Sequence, residues 1–291
     1  MLGTPARISI TAGQLLVVWE SGALGSNPGR IRTGLHGRVW DPVATHLRGW
    51  SCRAVDLRGH GYSLLPAGAD LAWEGFGRDA GRAADHAGPG MVGVGHSLGA
   101  VALLMASAED PERFSLLVLH EPAMRPQPGP VPAELLAYQR AMVTMTRARR
   151  AIFPSRAEAM AAYAGKPPFA AVQAASLSAY VEHGFRDTDD GQVTLRCTPE
   201  TEAETFARTH DHDLLSRLDA VTCPVFVVRG DETAPELQQS SDDLARIFGR
   251  EALVLDGTDH FGPLGQPARF ARIVQEAATS AGVVTTVASL T

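Results

Sequence analysis

Short apolar runs bounded by glycine and proline alternate along this chain with helix-length segments, and that rhythm admits few folds. The runs Arg7–Thr11, Leu15–Glu20, Cys52–Asp56, Met91–Val94, Ser115–His120, Val225–Arg229 and Ala252–Asp256 predict strands. Between them, Val39–Leu47, Gly75–His86, Leu98–Glu109, Pro235–Phe248 and Pro267–Ala281 predict helices. In the first of these, Trp40, Val43 and Leu47 fall on one face, which predicts a buried stripe. Such alternation calls for an α/β architecture, a mostly parallel sheet joined by crossover helices on both faces. Ala12-Gly13-Gln14 predicts a hairpin turn joining the first two strands.

Between Glu121 and Val221 the rhythm breaks. This segment is rich in alanine and methionine and predicts helices over Pro132–Arg150, Arg156–Ala164 and Phe169–His183, before a polar stretch at Asp187–Gln192. Because the α/β rhythm resumes afterwards, residues 1–121 and 222–291 are expected to form one core, with 122–221 inserted as a helical cap (lid) over the strand ends. A chain of 291 residues is the length expected of one α/β domain carrying such an insertion. The tail from Gly282 to Thr291 lacks an evident packing partner and is expected to fray.

A formal net charge of −6 argues against nucleic-acid or anionic-membrane surfaces, which need clustered Lys and Arg. Cys52, Cys197 and Cys223 are three cysteines at wide spacing, neither a disulfide framework nor a metal motif, and read as small apolar side chains in a reducing compartment. No signal peptide and no membrane-length apolar run is visible, so a cytoplasmic location is expected. His210-Asp211-His212-Asp213 has two histidines at i, i+2 but reads as a solvated loop, so no metal and no cofactor is expected.

Chemistry enters at Met91-Val92-Gly93-Val94-Gly95-His96-Ser97-Leu98-Gly99, an apolar strand running into Gly-x-Ser-x-Gly and then an Ala/Leu-rich helix. A tight strand-to-helix turn strains the backbone at the serine, and small flanking residues make room for it. The Ser97 hydroxyl would then stand at the edge of the sheet, with the first helix amides facing an oxyanion. The alternative is an ordinary turn with a helix-capping serine.

Two further segments join this one. Asp56-Leu57-Arg58-Gly59-His60-Gly61-Tyr62-Ser63 begins 41 residues before Ser97, and Gly257-Thr258-Asp259-His260-Phe261 lies near the end. Together and in this order the three segments resemble the signatures of the α/β-hydrolase-fold superfamily, over nearly the whole chain outside the insertion. The resemblance implies the α/β-hydrolase fold, Ser97 as nucleophile and His260 as base. A serine rather than an aspartate nucleophile sets the chain apart from the haloalkane dehalogenases and epoxide hydrolases of this fold, and fits cofactor-free acyl transfer. His96, beside the nucleophile, and His60 read as packing residues.

The acid departs from the commonest pattern. That pattern places an aspartate after the strand Val225–Arg229, but Gly230-Asp231-Glu232-Thr233 carries Thr233 at the expected position. Asp231 or Glu232 could serve through a shifted loop. Alternatively Glu121 could serve, at the end of the strand before Pro122 and 24 residues after Ser97. Pro122 predicts an extended backbone at Glu121. The His120-Glu121-Pro122 run is similar to that of fungal lactonases of the zearalenone-cleaving kind, which take their acid from this strand. For the oxyanion hole, the Leu98 amide is expected as one donor. The second is sought at Gly34-Leu35, with Leu35 preferred, or at Gly37-Arg38, with Gly22-Ala23 more remote. The segment 26–38 is unusually polar for a strand and loop of this family, Arg30 and Arg32 included.

The function expected is therefore hydrolysis of a carboxylic ester or lactone of a small hydrophobic molecule through an acyl-enzyme on Ser97, with a homodimer an open alternative to a monomer. Apolar side chains of the insertion, among them Leu136, Met142, Met145, Phe153, Met160 and Phe169, could line an apolar pocket or simply pack its helices. Other readings remain on the same fold. They are a C–C bond hydrolase of a β-diketone-type substrate (with Arg125 or Arg147 on a substrate carboxylate), a non-catalytic small-molecule receptor, and a cyclase.

Overall fold

The structure, a computed structural model, describes the backbone of Ala6–Ile8 and Gln14–Glu20 and the whole of 34–65, 68–167 and 169–283. The Ala12-Gly13 turn, Gly22-Ala23, the polar segment up to Thr33 and the tail from 284 lie outside the described residues.

Seven strands form the main sheet: β1 (Ala6–Ile8), β2 (Gln14–Glu20), β3 (Ser51–Val55), β4 (Met91–Ser97), β5 (Phe114–His120), β9 (Val225–Gly230) and β10 (Leu253–Leu255). Their order is β1-β3-β2-β4-β5-β9-β10. The pairings from β3 through β10 are parallel, and only β1 runs antiparallel, against β3. The hairpin expected between the first two strands is thus corrected. β1 pairs across β3, and β2 lies between β3 and β4, parallel to both.

The sheet divides the core by strand alternation. Leu116 and Val118 of β5 pack with Val92 and Val94 on one face. Leu117 and Leu119 point to the other, with Val225 and Val227. The first face is covered by α1 (Asp41–Ala44) and α10 (Pro267–Ser280), the second by α2 (Trp73–Ala87), α3 (Leu98–Glu109) and α8 (Pro235–Ile247). Each fully buried leucine or valine in these layers contributes about 1.5–3 kcal/mol. Met91–Ser97 is buried at every position, as expected of a strand covered on both sides.

Residues between β5 and β9 form α4 (Ala133–Arg147), α5 (Arg156–Tyr163), α6 (Ala174–Gly184) and α7 (Pro199–Ala207), with a small antiparallel sheet of β6 (Ile152–Phe153), β8 (Val193–Leu195) and β7 (Phe185–Asp187). The helix expected over Phe169–His183 is divided. A 3-10 turn at Phe169–Ala171 is followed by an extended Gln173 before α6 begins. The break lets the Gln173 N–H reach the Leu264 carbonyl of the core at 3.0 Å. Five insertion aromatics, Phe153, Tyr163, Phe169, Tyr180 and Phe185, join the core layer on the α10 side. Among the described residues no helix is long and apolar enough to cross a membrane.

Candidate functional site

β4 delivers Ser97 as its last residue, and α3 starts at the next. Ser97 takes φ 54° and ψ −122°, a left-handed conformation rare outside glycine and costing about 1–3 kcal/mol. The turn is this tight because α3 folds back at once onto β4. A Cβ at Gly95 would lie 2.7 Å from the Ala100 Cα, so only glycine permits the approach. Leu98 is the first residue of α3, where an N–H has no partner within the helix.

Glu121 follows β5 directly. Its N–H still bonds the Val228 carbonyl at 2.9 Å, and the chain then turns sharply, at φ 43°. Pro122 predicts an extended residue here; the left-handed turn is held instead by three hydrogen bonds to the side chain. Glu121 Oε1 accepts from the Gly230 N–H at 2.7 Å and the Thr233 hydroxyl at 2.6 Å. Oε2 lies 2.6 Å from His260 Nδ1. A carboxylate can only accept, so His260 carries its proton on Nδ1. Burial alone raises the Glu121 carboxyl. The bond from His260, the neighbouring charges of His120 and His260, and the Thr233 hydroxyl outweigh it and hold the group below the usual glutamate range.

His260 stands in the loop between β10 and α9 (Gly262–Gly265). Its Nε2 is buried and bonded to no protein atom among the described residues. The loop is pinned from β9: Asp231 Oδ1 accepts from the N–H groups of Gly257 at 2.6 Å and Thr258 at 3.2 Å. Asp231, one alternative acid, is thus spent on holding the loop. Glu232, the other, is exposed, and its N–H bonds the Thr258 carbonyl. Of the three acid candidates the structure brings Glu121 to His260.

Gly34, at φ 72°, leads through buried Leu35 to His36. The Gly37 N–H is taken by Asp56 Oδ1 at 2.6 Å, which removes it from the oxyanion candidates, with Gly34, Leu35 and Arg38 still among them. Asp56 also accepts from the Tyr62 N–H at 2.8 Å, so this motif carboxylate ties its own loop to the 34–37 segment. His36 Nε2 donates to the Tyr180 carbonyl of the insertion at 3.2 Å. Burial, offset in part by Asp56, lowers His36 to about 4. Arg149, fully buried, pairs with Glu202 and with the Tyr180 hydroxyl beside this segment.

Thr233 and His96 carry contacts that the sequence reading did not assign. Thr233 stands where the family's usual acid is expected and donates to Glu121, a clue present in the departure itself. His96 Nε2 lies 2.8 Å from the His260 carbonyl. His60 bonds through Nδ1 to the Arg58 carbonyl of its own turn and packs its ring against Phe76 of α2. Among the described residues no cluster of three or more His, Cys, Asp or Glu could hold a metal.

Several proteins are similar to this chain. The lipase LipV of Mycobacterium tuberculosis is 37% identical over 106 residues, 34% of this chain. The matched stretch spans only 39% of that lipase's length. The peroxisomal alpha-beta-hydrolase Lpx1 of Saccharomyces cerevisiae matches with a TM-score of 0.70 at 17% identity, over 97% of this chain and 80% of that one. The M. tuberculosis esterase Rv0045c matches with a TM-score of 0.63 at 22% identity, over 96% of this chain and 93% of that one. At such identities the structural likenesses speak for the fold alone. The family model for Alpha/beta hydrolase matches residues 29–273, and this chain belongs to that family.

Proposed function

We propose that this protein hydrolyses a carboxylic ester or lactone of a small apolar molecule through an acyl-enzyme on Ser97. The observation that carries the reading is the 2.6 Å contact between His260 Nδ1 and a Glu121 carboxylate held by three donors. With Nδ1 protonated, Nε2 is the basic nitrogen and would take the Ser97 proton as the hydroxyl attacks the acyl carbon. The Leu98 and Leu35 amides would receive the oxyanion. As the tetrahedral intermediate collapses, His260 would return the proton to the leaving alkoxide. Water would then cleave the acyl-Ser97 ester by the same sequence. Glu121 stays ionised throughout and stabilises the imidazolium.

The insertion serves in this reading as the cap. The buried aromatics Phe169 and Phe261 lie 6.2 Å apart, the second adjoining the base, which favours an apolar substrate. Relatives named as a lipase and an esterase fit the same chemistry. Neither arginine weighed for a C–C hydrolase supports that alternative. Arg147 is paired with Glu200 at the surface, and Arg125 donates to the carbonyls of Gly129 and Pro130.

The test is hydrolysis of p-nitrophenyl acetate, butyrate and octanoate and a lactone panel by the wild type and Ser97→Ala. Turnover is expected in the wild type and its loss in the variant. Activity that survives Ser97→Ala, or an inert wild type, would remove the serine-hydrolase reading.

A further inference from the structure

We propose that His96 is a positioning residue for the base, fixing the backbone of His260 while Glu121 fixes its ring. The inference deepens the serine-hydrolase reading and rests on it.

An imidazole is out of place in β4. Every residue from Met91 to Ser97 is buried, and a polar side chain there is costly unless it is hydrogen-bonded. His96 Nε2 meets the His260 carbonyl at 2.8 Å. A carbonyl accepts only, so the His96 proton resides on Nε2 and the bond runs from His96 to His260. The two rings are also in contact, their centroids 4.2 Å apart and tilted by 47°. The His96 ring is also flanked by those of Phe261, at 6.3 Å, and His120, at 5.4 Å.

The consequence is geometric. His96 immediately precedes Ser97, so the donor to the His260 backbone belongs to the same rigid strand end that carries the nucleophile. His260 reaches the site on a loop, and loops hold catalytic geometry less tightly than strands. One hydrogen bond from β4 to the His260 carbonyl sets the spacing of loop and strand. A second, from Nδ1 to Glu121, sets the rotation of the ring. An apolar residue at 96 would keep the packing and lose the first constraint. Glutamine would keep both, because its Nε2 donor lies as many bonds from Cα as that of histidine.

The experiment compares His96→Leu and His96→Gln with the wild type by two readouts. The first is steady-state hydrolysis of the best p-nitrophenyl ester across pH. His96→Leu is expected to lower kcat about ten- to a hundredfold with KM little changed, and His96→Gln to recover most of it. The second needs no substrate: the low-field imidazole N–H resonance of His260, identified by its loss in Glu121→Gln. It is expected to shift or broaden in His96→Leu and to persist in His96→Gln. If His96→Leu keeps the wild-type kcat and resonance, the inference is overturned. It is equally overturned if both variants lose activity in step with thermal stability, since that marks a packing role. If Ser97→Ala stays active, the hydrolase reading falls, and the resonance still decides whether His96 orders His260.

Discussion

Glu121 shows how much one side chain carries at this site. Its carboxylate accepts three hydrogen bonds, from Gly230, Thr233 and His260, and those bonds hold a backbone angle of φ 43° that proline at the next position does not favour. Glutamine has the same shape but one accepting oxygen. If that oxygen faces Gly230 and Thr233, the amide NH2 meets His260 Nδ1 and drives the imidazole to the tautomer that cannot accept the Ser97 proton. Glu121→Gln is therefore expected to remain folded and to lose kcat by about a thousandfold or more. Near-normal ester turnover in that variant would move the acid elsewhere. Thr233→Val removes one donor that lowers the Glu121 carboxyl, so that carboxyl is expected to titrate at higher pH, followed by its 13C chemical shift, with a smaller loss of kcat than in Glu121→Gln. An unmoved titration would show that the hydroxyl does not tune Glu121.

At the scale of elements, the insertion is clasped onto the segment that follows His260. The Gln173 N–H bonds the Leu264 carbonyl, and Gly265 sits so close that a Cβ there would lie 2.7 Å from the Ala171 carbonyl oxygen. Backbone cannot yield as a flexible side chain does. Gly265→Ala is expected to push the 169–173 turn away, lowering stability by about 1–3 kcal/mol and raising KM for the best p-nitrophenyl ester. Unchanged KM and melting temperature would show that the clasp yields freely. The same clasp explains an error of sequence reading. Periodicity runs through Phe169–His183 without interruption, and only a hydrogen bond to a residue far along the chain breaks it. Contacts of this range escape local patterns generally. Thr233 reaches Glu121 across 112 positions and His96 reaches His260 across 164. The two- and three-residue strands β6, β7 and β8 are too short to show a period of two. By contrast α3 begins and ends where its sequence says, at Leu98 and Glu109, because its apolar run, its serine turn and its neighbours all agree.

Across the whole molecule the sheet's α10 face gathers neutral histidines, and that sets how the fold answers to acid. His120 is fully enclosed beside Glu121, His96, His260 and Phe270, and burial lowers it to about 4, against the partial opposing pull of the Glu121 charge. His36, bonded to the Tyr180 carbonyl and near Asp56 and His183, is lowered to about 4 as well. The sign follows from which state takes the proton. Below the ordinary histidine value of 6.5 the unfolded chain binds it, while the folded protein does not until about pH 4. Stability therefore declines as pH falls through this window, by about 2 kcal/mol for each such histidine at pH 5. Glu121, held below its usual range, adds its loss only at lower pH, where the unfolded carboxyl protonates. Thermal unfolding followed from pH 8 to pH 4.5 should be flat above neutrality and then fall by several degrees. His120→Leu should flatten that fall by the share of one histidine, because leucine has no proton to gain on unfolding. A variant whose melting temperature falls with acid as steeply as the wild type would mean that His120 is protonated within the fold, and the low value assigned to its burial would be wrong.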